Sequence, residues 1–212
     1  MSKARLSTRI STRIGIPCAI LACAAGLLAG CASAPPAALS TAAVAPYASK
    51  VELDGRLSVN YLRAGKQESI SGKFAWRQSE ARTDVTLASP LGQTIATIAV
   101  TPGAVTLKEG NNPPRTASDV DTLTAQVLGW PLPVSGLRDW LQGYAVAADG
   151  QRFAASPAQP KVTTHDGWEL EFVSWQEGAA PPRPRRIDAR RGATGDIENI
   201  DIRIVVDGAA AP

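Results

Sequence analysis

The chain has 212 residues, 44% of them apolar and 19% charged, a mixture that excludes a wholly disordered polymer and gives room for one domain or two small ones. Its formal charge of +3 comes from 22 Lys and Arg against 19 Asp and Glu, but Lys3, Arg5, Arg9 and Arg13 stand in the first 30 residues without an acid. Beyond them 18 basic residues face 19 acids, which argues against a nucleic-acid surface, and one His with three Cys leaves little for a metal or disulfide framework.

Residues 1–30 read as a secretory leader. Lys3 to Arg13 is basic and rich in Ser and Thr, and Ile14 to Leu28 is apolar. That apolar run is shorter than the ~20 residues a spanning helix needs. Gly15, Pro17 and Gly26 weaken it further as a helix. Leu28-Ala29-Gly30-Cys31 resembles a bacterial lipobox. The resemblance implies cleavage before Cys31, a diacylglycerol thioether on its sulfur and an acyl chain on its new amine. Cys18 and Cys23 would leave with the leader, so the mature chain would keep no disulfide and no thiolate nucleophile. Each buried CH₂ contributes about 0.8 kcal/mol, so three acyl chains make a firm anchor. The residue after Cys31 is Ala32, not Asp, which points to the outer membrane and its periplasmic face.

Residues 31–50 continue as the acylated Cys and a tether built of Ala, Pro, Ser and Thr, a composition that cannot bury a core. The folded domain is expected over 51–207. It opens on strict alternation: Val51, Leu53, Gly55, Leu57, Val59 and Tyr61 on one face, Glu52, Asp54, Arg56, Ser58 and Asn60 on the other. Ile70, Gly72, Phe74 and Trp76 repeat the pattern, and shorter strands follow over 83–88, 94–100 and 104–108. The turn signals between them predict an antiparallel meander.

Two short helices interrupt the strands. Ser118 is the expected N-cap of the first, with Val120, Leu123, Val127 and Leu128 as its apolar stripe and Gly129 as its stop. Ser135 is the expected cap of the second, with Leu137, Trp140 and Leu141 on one face and Gly143 at its end. Strands return where Trp168, Leu170 and Phe172 alternate with Glu169 and Glu171, and again at Ile200, Ile202, Ile204 and Val206.

The search for chemistry is negative. His165, the sole His, sits in the polar turn Thr164-His165-Asp166-Gly167. There is no nucleophile elbow and no phosphate-cradling glycine loop. The chain reads as a non-enzyme without cofactor or metal, and what remains is binding. Leu91 lies between Pro90 and Gly92 at the tip of an expected hairpin, either facing solvent or folded back on the core. Residues 129–143 read as a helix–loop–helix covering a sheet.

Together these pieces resemble the LolB family of outer-membrane lipoprotein receptors. The resemblance covers about residues 47–207 and rests on GRLSV at 55–59, KFAWRQ at 73–78, SPLGQTIATI at 89–98 and GWPLPVSGLRDWLQG at 129–143. It implies a mainly β fold, an open antiparallel half-barrel of about eleven strands with a short helical lid over a hydrophobic cavity. It implies transfer without nucleotide: an acylated lipoprotein passes from a LolA-like periplasmic carrier into the cavity and then into outer-membrane lipid. The candidates for the cavity are Leu57, Val59, Phe74, Trp76, Leu87, Ile98, Leu107, Trp140 and Leu141. The resemblance makes Pro90, Leu91 and Gly92 the loop that contacts the membrane, Cys31 the lipid attachment site, and the protein a monomer. Arg183, Arg185, Arg186, Arg190 and Arg191 have two readings, a solvated strand with edge protection or docking to an acidic carrier rim or anionic headgroups. The alternative function is a passive lipid-binding or scaffold lipoprotein of the envelope, with no carrier partner.

Overall fold

A computed structural model describes residues 39–209. The leader, Cys31 and residues 32–38 lie outside the described residues. The strands are β1 (Val51–Arg63), β2 (Lys66–Gln78), β3 (Thr83–Ala88), β4 (Thr94–Thr101), β5 (Ala104–Glu109), β6 (Arg115–Ala117), β7 (Tyr144–Val146), β8 (Arg152–Ala154), β9 (Lys161–Thr163), β10 (Glu169–Trp175), β11 (Pro184–Arg191) and β12 (Ile197–Ala209). The helices α1 (Val120–Leu128) and α2 (Val134–Trp140) fall between β6 and β7. Ten strands form one antiparallel sheet in the order β6-β5-β4-β3-β2-β1-β12-β11-β10-β9, and β7 pairs with β8 alone. The sheet is open, because its end strands β6 and β9 do not meet.

Alternation becomes a core through register. Leu107, Ile98, Val85, Trp76 and Leu53 stand opposite one another in turn, so one apolar row crosses five strands. Phe172, Ile187, Ile204 and Leu57 form a second row across the other half. All but Leu57 are buried. Each such side chain contributes about 1.5–3 kcal/mol on burial, and a one-residue slip would turn the whole set to solvent. The pattern therefore fixes the register as well as the fold class.

The helix caps differ from the sequence expectation. Asp119, not Ser118, is the N-cap of α1: its backbone is extended and its carboxylate accepts from the Thr122 amide at 2.7 Å. That bond holds its carboxyl below the usual range. Gly129 ends α1 as expected, at φ 78°. Ser135 does not cap α2. The helix starts two residues earlier than such a cap would give, after Pro133, and Ser135 gives its hydroxyl and its amide to Asp121 of α1. The start of α2, whose N–H groups lack acceptors within the helix, is thus capped from the neighbouring helix.

The packed chain also begins earlier than the alternation indicates, within the stretch read above as a tether. Val44 is 5% exposed, and its amide bonds to the Ala155 carbonyl at 3.0 Å. Ala45 bonds to Pro182, and the Tyr144 hydroxyl donates to the Ala45 carbonyl. Tyr47 meets Tyr144 edge to face, and the Arg152 guanidinium lies over both rings. Gln142, just past α2, bonds both backbone groups of Ala48. A Pro- and Ala-rich stretch is held here by long-range backbone bonds that leave no periodicity to read.

Candidate functional site

The two helices cover the apolar face of the sheet. Gly136 makes room for Trp140 of the same helix to fold back over it: a Cβ there would lie 2.4 Å from the Trp140 ring. Trp140 in turn meets Trp168 edge to face at 5.8 Å. Arg138 ties α2 to the β2–β3 turn, donating to Thr83 Oγ1 at 2.8 Å and to the Ser79 carbonyl at 2.6 Å. Arg63, at the end of β1, donates to the Gly129 carbonyl at the end of α1 and pairs with Asp196 at 3.0 Å. Asp121 joins the helices through Ser135, and its burial pushes its carboxyl up despite those hydrogen bonds.

Beneath this cover is a cavity with a wholly apolar lining. It is bounded by Leu57, Phe74, Trp76, Val85, Leu87, Leu132, Leu137, Leu141, Ile202 and Ile204. Its volume is about 20 Å³. A single water needs roughly 10–15 Å³ on this measure, so the space is nearly filled by the lid. Five of the nine expected cavity residues line it: Leu57, Phe74, Trp76, Leu87 and Leu141. Val59, Ile98, Leu107 and Trp140 are buried but pack within the core instead. Val85, Leu132, Leu137, Ile202 and Ile204 complete the lining without having been nominated. The last two were legible in the alternation of the final strand. Leu132 was not, because a Pro-flanked loop residue has no period to give its direction.

A second groove, of about 230 Å³, lies on the same face, between β2, the ends of β3 and β5, and Leu128 and Trp130 at the end of α1.

The hairpin between β3 and β4 carries the exposed apolar residue. Ser89 and Gly92 close a turn by a 2.8 Å backbone bond, and the Ser89 amide bonds to the Gln93 carbonyl at 2.8 Å. Pro90 fills a position that favours its fixed φ, and Gly92 takes φ 89°. Leu91 between them is 91% exposed. The turn is closed on itself, so this exposure is built into the backbone.

The opposite face of the sheet is charged and paired. Asp188 is buried, and burial would raise its carboxyl, but Arg186 and Arg203 together hold it below the usual range. Arg190 pairs with Asp201 at 2.8 Å and Arg185 lies 4.0 Å from Glu177. Arg191, in register with Ile200 and so on the inner side of the sheet, stands over the Trp168 ring. Four of the five clustered arginines thus have a partner within the domain. His165 is exposed in its turn, apart from both cavities.

Residues 49–208 match the family described as outer membrane lipoprotein LolB. The chain is 39% identical over 188 residues to the outer-membrane lipoprotein LolB of Cupriavidus taiwanensis, covering 85% of this chain and 90% of that protein. It is 38% identical over 196 residues to that of Ralstonia nicotianae, covering 89% and 94%. Among solved structures, a LolA superfamily protein from Nitrosomonas europaea aligns at a TM-score of 0.44 and 9% identity, over 76% of this chain and 86% of the other. Family match and relatives together place the chain in the LolB family of outer-membrane lipoproteins.

Proposed function

We propose that this protein, held at the periplasmic face of the outer membrane by lipid on Cys31, takes acylated lipoproteins from a soluble LolA-like carrier and releases them into the bilayer. The observation that carries the reading is the pairing, in one domain, of a lidded cavity lined only by apolar side chains with a rigid turn that presents Leu91 to solvent. Acyl chains cannot cross water alone, since their exposure costs tens of kcal/mol at about 25 cal/mol per Å². Passing them between two apolar sites changes little in free energy, so no nucleotide is needed.

The closed lid defines what binding requires. An acyl chain needs a pocket of several hundred Å³, against about 20 Å³ beneath the helices. α1 and α2 must move outward as cargo enters. Their hydrogen bonds to the sheet, through Arg138 and Arg63, are few and can exchange with water at small net cost, and the apolar contacts of Leu132, Leu137 and Leu141 would be replaced by contacts with the acyl chain. Leu91 then acts in release. One Leu gains only about 1.5–3 kcal/mol by entering the bilayer, too little to hold the domain there, and enough for transient contact once the lipid anchor supplies proximity.

The test uses the leaderless chain with Cys31→Ala, mixed with carrier preloaded with an acylated lipoprotein and separated by affinity tag. Cargo is expected on this protein without added nucleotide. Cargo remaining on a competent carrier would favour a passive lipid-binding or scaffold lipoprotein instead.

A further inference from the structure

We propose that the second groove, beside the Pro90–Gly92 turn, is the port through which acyl chains pass between the apolar face and the bilayer; this rests on the transfer reading above. Three independent observations point to an acyl chain as its occupant.

The first is continuity. Leu57 and Leu87 line both the groove and the cavity beneath the helices, so these two side chains stand between the two spaces. Rotation of two leucines joins them.

The second is the way the sheet makes the opening. Pairing of β2 with β3 ends at Lys73 and Ala88, while β2 runs seven residues further, back to Lys66. Ile70, on the inner face of that extension, therefore has no β3 partner and forms the floor of a notch. Gly72 lets the end of β3 close against β2 at the inner edge of the notch, because a Cβ there would lie 2.4 Å from the Ala88 carbonyl oxygen. Leu128 and Trp130 form the opposite wall.

The third is direction. Ala88 and Ile95 line the groove and stand on either side of the 89–93 turn. A chain leaving here emerges beside Leu91, the most exposed large apolar side chain among the described residues, with Ile95, 38% exposed, next to it. Lys73 and Glu109 also border the groove. They give the polar glycerol and ester end of a lipid a place at the rim while its tail lies inside.

The test blocks the port. The leaderless chain with Cys31→Ala contains no other Cys. Ile70→Cys, or Ile95→Cys at the already exposed rim, is labelled with fluorescein maleimide, and Val173→Cys, on an exposed position of β10, serves as control. Uptake of cis-parinaric acid is followed by its fluorescence. The label at either groove position is expected to slow uptake at least tenfold, and the label at 173 to leave it unchanged. Uptake at the unlabelled rate with folded, fully labelled Ile95→Cys protein would overturn the port while leaving the transfer reading intact. No uptake by the unlabelled chain would overturn both.

Discussion

Two apolar residues, each in a strand-free stretch rich in small residues and Pro, end in opposite places. Val44 is buried and Leu91 is 91% exposed. The difference lies in what waits for each side chain. Val44 enters a socket shaped by Gly143, where a Cβ would come within 2.5 Å of it, and its backbone is tied to Ala155. Leu91 sits on a turn whose hydrogen bonds close on Ser89 and Gln93. The first residue contributes to folding. The second gains nothing from folding and is held outward, which is how an apolar contact for another phase must be built.

The comparison can be broken by substitution. Val44→Asp should be the most damaging, since it buries a carboxylate with no partner; a loss of about 3 kcal/mol or more in urea unfolding is expected. A loss under 0.5 kcal/mol would mean the segment peels away without consequence. Asp188→Asn should cost about 1–3 kcal/mol, because it removes the charge shared by Arg186 and Arg203 and replaces one acceptor oxygen with an NH₂ donor. Its wild-type pH profile has a definite sign. A carboxyl depressed in the fold contributes stability that is present above its unfolded pKa and is lost as pH falls through the folded one. Asp121 acts in reverse: with its folded pKa raised, its penalty is relieved as pH falls through that raised value toward the unfolded one. Asp188→Asn should therefore flatten the acid limb of the stability curve, measured by thermal melts between pH 3 and pH 7, and Asp121→Asn should not. Asp119→Ala should cost about 1 kcal/mol, the usual worth of an N-cap. Leu91→Glu should change stability by less than about 0.5 kcal/mol, as an exposed turn residue does.

The sequence made some of this legible and hid the rest for physical reasons. β1 to β5 follow from alternation, because one buried face imposes a period of two on six to thirteen residues. β6 to β9 are three residues each, too short to carry a period. The extra order at 44–48 comes from bonds to residues about a hundred positions away, which no local pattern encodes. Alternation gives the face of a side chain but not the shape of the space before it. Val59 and Trp76 share the inner face, yet only Trp76 reaches the cavity. The exposure of Leu91 was legible only as a resemblance, since Pro-Leu-Gly alone fits a turn folded inward equally well.

The most direct measurement compares wild type with Leu91→Glu in a two-step assay, with loaded carrier first and liposomes second. The account predicts equal acceptance of cargo from the carrier by both proteins and loss of delivery to liposomes by the variant. Equal delivery by both would contradict it.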